Sequence, residues 1–218
     1  MHLQRQLMPW LRQVAVQRCF SQKRLNHDTS KILSRSSNQA LALGKFALDF
    51  MDQPLSNIDD SVLHRTKLFL VDSLVCGVTA IRSDFKGLQV LREEALTYPV
   101  PASSTRAAHI FGDGAAVSIE KAILANSGAV RELDANGTVF GFNPDDPSRQ
   151  AGEFGHNDFY PVVLASCEAL QLNGADAIKA MVLLDEIRGR LCEAFSLKEH
   201  SLDHVLYGAI ASGVVYGL

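Results

Sequence analysis

The chain has 218 residues, 47% of them hydrophobic and 21% charged, with Gly 15 and Pro 7. That composition suits one domain plus a tail and excludes wholesale disorder, collagen-like repeats and Pro-rich low complexity. A formal net charge of −3 gives no support for a nucleic-acid partner. Cys19, Cys76, Cys167 and Cys192 form no C-x-x-C pair and are irregularly spaced. They signal neither a structural zinc site nor a disulfide framework, which fits a reducing compartment. The longest uncharged apolar run, Val205 to Leu218, is too short to cross a bilayer, so no membrane span is expected.

Charge is unevenly spread. Residues 1–27 hold Arg5, Arg12, Arg18, Lys23 and Arg24 and no acid, a charge of +5, which leaves 16 basic and 24 acidic side chains elsewhere, a balance of −8. Leu3, Leu7, Trp10, Leu11 and Val14 fall between the arginines at roughly helical spacing. An Arg-rich, Ser-containing, acid-free amphipathic start is the signature of a mitochondrial transit peptide; the blander reading is a basic surface helix. The expected organisation is a transit peptide and linker over 1–35, cleaved between Cys19 and Ser37, then a helical domain over 36–218.

Ser21 to Gln39 is polar and reads as linker. Leu41, Ala42, Phe46, Leu48, Phe50 and Met51 then predict a first helix, with Ser36 or Ser37 as cap and Gln53-Pro54 as its end. Asp59 or Asp60 caps a second helix to about Ala80, with Val62, Phe69, Leu70, Leu74 and Val78 as its apolar face. Ser83 or Asp84 caps a third, with Phe85, Leu88, Leu91 and Leu96 on one side. Tyr98 to Thr105 reads as a loop, and Ala107 to Phe111 as a short extended piece or a turn before Gly112-Asp113-Gly114.

Ala115 to Leu133 predicts a helix rich in small residues (Ala115, Ala116, Ala122, Ala125, Ser127, Gly128 and Ala129), which let neighbours approach closely, so a central place is expected. Gly137 to Gly155 is a long loop, and loops of that length inside a domain are often functional. Tyr160 to Leu172, Ala175 to Phe195 and Leu202 to Leu218 complete the set. The last is apolar all round, with Val205, Leu206, Ala209, Ile210, Val214 and Val215, and is expected to be buried. The chain ends inside it, which reads as an incomplete product or a helix covered by a partner.

The densest polar chemistry runs Arg131-Glu132-Leu133-Asp134-Ala135-Asn136-Gly137-Thr138 and, past the loop, Glu153-Phe154-Gly155-His156-Asn157-Asp158. A carboxylate can orient an imidazole, and imidazole is the usual proton carrier near neutral pH. Taken singly, Asp134 also reads as a cap, Thr138 as a turn residue and His156 as a helix start. Glu153, His156 and Asp158 are hard ligands close in sequence, but no second cluster accompanies them. Gly112-Asp113-Gly114 lacks the ending of a phosphate loop. Ser73 and Cys76 read as small packing residues. Asp185-Glu186-Ile187-Arg188-Gly189-Arg190 reads as an ion-paired helix face or as an anion clamp. His200 and His204 lie one turn apart if one helix covers both, with Asp203 capping that helix or orienting the ring.

The chain resembles the MmgE/PrpD family, which includes 2-methylcitrate dehydratase and cis-aconitate decarboxylase. The matching pieces, in family order, are Asp72-Ser73-Leu74, Leu133-Asp134-x-Asn136-x-Thr138, Glu153-Phe154-Gly155-His156, Asp185 to Leu191, and Leu202-Asp203-His204-Val205. The resemblance covers about residues 40–218. It implies an all-α helical-bundle domain to which an α+β lid is normally joined, a cleft site between the two, no metal or organic cofactor, and commonly a homodimer. It assigns Asp134, Thr138 and His156 to active-site positions. It departs in the length of the loop between Thr138 and His156, in Gly137 where an acid is expected, and in Glu193 where the decarboxylase has a further histidine. The lid, which supplies basic residues for substrate carboxylates, is absent from the chain.

The function expected is lyase chemistry on a small tricarboxylate, first of all dehydration of a 2-methylcitrate-like substrate. The alternatives are decarboxylation of a cis-aconitate-like acid, which Glu193 disfavours, and a non-catalytic helical module binding a full-length relative or another matrix protein. The expected partners are the tricarboxylate and a second copy or another protein met through the apolar last helix. Deleting residues 1–27 is expected to leave a fluorescently tagged chain in the cytosol; unchanged mitochondrial fluorescence would refute the targeting assignment.

Overall fold

A computed structural model describes residues 38–139, 154–155, 157–194 and 197–218. The architecture is all-α, with seven α-helices and two minimal hairpins among the described residues. Helix α1 (Gln39–Asp52) is capped by Asn38, whose side chain accepts from the Leu41 N–H at 3.0 Å. This corrects the expected cap, since Ser36 and Ser37 lie outside the described residues, and the helix already includes the end of the expected linker. Pro54 follows its extended C-cap, Gln53. Helix α2 (Asp60–Arg82) begins as expected, with Asp59 accepting from the Ser61 N–H at 2.8 Å.

Helix α3 (Lys86–Leu96) has no side-chain cap. Neither expected residue serves: the Ser83 hydroxyl donates back to the Thr79 carbonyl at 3.0 Å, and Asp84 accepts from Gln89 at 2.6 Å. Strand β1 (Ala107–His109) pairs antiparallel with β2 (Ala116–Ser118), aligning Ala108 with Val117. The Gly-Asp-Gly stretch is the turn between them, and Gly112 takes φ +71°, a conformation open to glycine. Helix α4 therefore starts at Ile119, later than its alanine content suggests, and runs to Arg131. Helices α5 (Tyr160–Ala169), α6 (Gly174–Ala194) and α7 (Val205–Tyr216) follow close to their expected places. Asn173 caps α6 by accepting from the Ala175 and Asp176 N–H groups.

Two larger cores and a small cluster of Ala80, Leu88 and Ala129 make up the described interior. One gathers α1, α2, α5, α6 and α7 around Phe50, Tyr160, Met181, Leu184, Ile187 and Ala211. The other seats the β1–β2 hairpin on α4 and α5 through Ile110, Val117, Ala122, Ala125 and Ala165. Helix α4 is central, as its small residues predict: Ala122, Ala125 and Ala129 are fully buried, and a Cβ on Gly128 would come 2.7 Å from Leu91. That closeness decides which face of α2 turns inward. Thr66, Ser73, Cys76, Gly77 and Ala80 are buried, whereas Val78 is 49% exposed. The expected bulky face is corrected in that part, because only small side chains fit beside α4.

Helix α6 is buried through Ala177 to Leu184, including Lys179, whose ammonium donates to the carbonyls of Met51 and Gln53 at the end of α1. A buried charge needs such partners, and a helix C-terminus supplies them. Helix α7 is not wholly buried. Tyr207, Gly208, Ala211 and Val215 face the core, while Val205, Leu206 and Tyr216 are exposed. No helix among the described residues is long and apolar enough to cross a membrane.

Gly208 abuts the Phe159 ring so closely that an added Cβ would overlap it. The ring is confined on another side by the Arg188 guanidinium, 4.9 Å from its centroid. Gly208→Ala is expected to cost about 1–3 kcal/mol through overpacking, read as a Tm lowered by roughly 2–4 °C per kcal/mol for a domain of this size.

Candidate functional site

The site is built where α4 ends and α5 begins. Past Arg131 the chain reverses, with the Asp134 N–H donating to the Arg131 carbonyl at 2.9 Å. Asp134 sits in the left-handed region at φ 47°, and its exposed carboxylate pairs with the Arg131 guanidinium. Left-handed backbone is unfavourable for a residue with a Cβ, though Asp and Asn tolerate it better than most. Gly137 takes φ 148°, which explains a glycine where the resemblance calls for an acid.

Asn136 is buried between these two. Its Nδ2 donates to the Val130 carbonyl at 3.0 Å, closing the last turn of α4, and its Oδ1 lies 3.4 Å from the backbone N of Asn157. Strand β3 (Thr138–Val139) pairs antiparallel with β4 (Phe154–Gly155), aligning Thr138 with Gly155. Thr138 is thus opposite the residue that precedes His156 in sequence. His156 itself lies outside the described residues, as does Glu153, so two of the three candidate ligands of the metal reading are also outside them. Among the described residues no group of three or more His, Cys, Asp or Glu could hold a metal ion.

Beyond β4, Asp158 places Oδ2 4.0 Å from Arg131 Nε, so Arg131 stands between two carboxylates, Asp134 and Asp158. From α2, Ser73 and Cys76 back the same region. The Ser73 hydroxyl donates to the Phe69 carbonyl at 2.7 Å and lies 3.5 Å from the Asn157 carbonyl. Burial pushes the Cys76 thiol up, the nearby Asp72 carboxylate adds to this, and a hydrogen bond with Asn136 works against it. Both residues are packed against neighbours rather than poised as nucleophiles, as their setting in an apolar helix predicts.

The other singled-out residues have structural places. Arg188, 3% exposed, pairs with Asp185 at 3.2 Å, and the Tyr160 hydroxyl donates to Asp185 at 2.6 Å. Burial raises the Asp185 carboxyl, while Arg188 and the Tyr160 hydrogen bond offset part of that. Arg190 pairs with Glu186 at 2.9 Å. The ion-paired helix face is therefore what this run forms. His200 ends a short 3-10 helix and His204 precedes α7, so no single helix carries both. Asp203 fills both expected roles, accepting from the Val205 N–H at 3.1 Å and lying 3.2 Å from His204 Nδ1. Glu193 is exposed on α6.

Of the expected triad, the described coordinates give Asp134 with its side chain and Thr138 by its backbone. Arg131, Asn136, Asn157 and Asp158 lie in the polar stretches that the sequence singles out, but none is assigned to the expected triad; the contacts that join them to it appear only in the fold.

A profile of the MmgE/PrpD N-terminal domain matches residues 45–218. The chain belongs to the MmgE/PrpD family. The match spans α2 to α7 and most of α1, and with them every described element of the site. No solved structure matches the chain.

Asp72 is half-buried on α2, and burial holds its carboxyl above the ordinary value of 3.8. A raised carboxyl opposes folding once ionised: the penalty grows as pH rises past the unfolded value and is complete above the folded one. Asp72→Asn is therefore expected to raise Tm at pH 7, with the gain shrinking as the pH is lowered toward about 4. A gain independent of pH would contradict this assignment.

Proposed function

We propose that this chain is the helical part of a cofactor-independent lyase acting on small tricarboxylic acids, with a 2-methylcitrate-like substrate dehydrated in the mitochondrial matrix. Residues 1–35 serve as transit peptide and linker in this reading, and 36–218 as the helical domain. Family membership supports the reaction class. The observation that carries the site is the β3–β4 pairing, which aligns Thr138 with Gly155 beside the turn that holds Asp134. The sequence puts His156 directly after Gly155.

In the reaction, a proton leaves a carbon next to a carboxylate and hydroxide leaves the neighbouring carbon. A carbon–carbon double bond forms and water is released. His156 handles the proton, Asp134 orients or shares it, and Thr138 binds a substrate carboxylate or hydroxyl. The described rim sets one guanidinium, Arg131, against two carboxylates, Asp134 and Asp158. An anionic substrate needs further cations, in keeping with the basic lid that the family resemblance implies. Exclusion of water by such a lid would also strengthen electrostatic stabilisation of the transition state. Glu193, where the decarboxylase has a histidine, favours dehydration over decarboxylation.

Titrating 2-methylcitrate into the 218-residue chain is expected to move backbone NMR signals of residues 131–139 and 154–158 saturably, with little turnover. His156→Ala is expected to weaken binding at least about tenfold, the scale of one lost charged hydrogen bond. No saturable binding would overturn the reading. That result would favour a second one, a module that pairs with another copy or another protein, for which the exposed Val205, Leu206 and Tyr216 of α7 speak.

A further inference from the structure

Three buried side-chain atoms without a hydrogen-bond partner among the described residues lie on two consecutive residues: Asn157 Nδ2, Asn157 Oδ1 and Asp158 Oδ1. Asn157 is only 1% exposed. Its backbone is held from several directions. The amide nitrogen lies 3.4 Å from Asn136 Oδ1, the carbonyl accepts from the Tyr160 N–H at 3.1 Å, and the Ser73 hydroxyl stands 3.5 Å from that carbonyl. The residue cannot swing to solvent without breaking these links and the start of α5.

A carboxamide has two donors and a carbonyl acceptor, and hiding all of them unmet opposes folding. An apolar side chain of similar size would fill the same space without that penalty. Such a group calls for an explanation, and completion by a bound ligand is one that its place in the molecule supports. Its neighbours indicate what that ligand is. Asp158 follows directly, and the Arg131 guanidinium lies 4.0 Å from Asp158 and pairs with Asp134, so the group sits at the edge of the site described above.

We propose that Asn157 is a ligand-contacting residue of this site, its Nδ2 donating to a carboxylate of a small hydroxy-polycarboxylic acid while its Oδ1 accepts from the hydroxyl. This inference rests on the organic-acid reading of the site and adds a source of selectivity to it. A carboxamide meeting both groups distinguishes a hydroxy acid from the same acid without its hydroxyl, because the deoxy acid leaves Oδ1 buried and unmet.

The test compares two probes, citrate and propane-1,2,3-tricarboxylate, which differ by that hydroxyl. Calorimetric titration into the 218-residue chain is expected to show citrate bound at least tenfold more tightly. In Asn157→Leu, citrate is expected to bind at least tenfold more weakly and the preference between the two acids to vanish, while Tm without ligand stays equal or rises. Loss of binding together with a preserved or raised Tm is a pattern that a packing role does not give. Asn157→Ser, which keeps a small polar side chain, serves where the leucine variant does not fold, with the same loss of preference expected. In the unaltered chain, the side-chain NH2 signals of Asn157 are expected to shift on adding citrate. If citrate binds and neither the variants nor those signals respond, the inference is wrong and the organic-acid reading stands. If neither acid binds the unaltered chain, both fall together.

Discussion

One buried side chain ties the functional end of the molecule together. Asn136 closes the last turn of α4 through the Val130 carbonyl, approaches the backbone of Asn157 before α5, and hydrogen-bonds the Cys76 thiol on α2. Three helices are thereby held at a single carboxamide. A second buried amide does comparable work farther along α4. Asn126 accepts from the Phe111 N–H at 2.7 Å and donates to the His109 carbonyl at 3.0 Å, fastening the β1–β2 hairpin. Helix α4 thus has one polar anchor at its middle and another just past its end, and packs through alanines. The anchors fix direction and register, and the alanines fix distance, because close-packed small faces leave little room for sliding.

This division of labour explains what could be read in advance. Helix existence and order follow from spacing of apolar residues, and α2, α5, α6 and α7 lie close to where that spacing puts them. Spacing failed where size outweighed hydropathy. On α2 bulky side chains were expected to form the buried face along its whole length, yet closeness to α4 turns Ser73, Cys76, Gly77 and Ala80 inward and leaves Val78 exposed. Strand β2 escaped notice because Ala116-Val117-Ser118 carries no alternation long enough to register against the helical run beside it. At the site, the order of motifs pointed to the 131–138 and 153–158 stretches. The roles of Asn136 and Asn157 were invisible, since a buried amide acquires meaning only from partners distant in sequence, and no periodicity marks it.

The charge balance of the site has its own logic. Arg131 is shared by Asp134 and Asp158, and Asp72 adds another carboxylate close to Cys76. An acidic surround is poorly suited to holding an anion by attraction alone. In the proposed scheme the helical domain supplies the groups that handle the proton, His156 and Asp134. Capture in the proposed scheme falls to cations brought by another part of the enzyme, and the two tasks are separated between domains.

Lys179 carries a different lesson. Its ammonium is enclosed by the end of α1, with the Met51 and Gln53 carbonyls accepting its hydrogen bonds. An acylating reagent reaches that nitrogen only after α1 has lifted from α6, so its labelling rate reports how often the first helix detaches. One side chain thereby acts as a built-in clasp whose chemistry doubles as a gauge of local opening, independent of anything bound at the other end of the bundle.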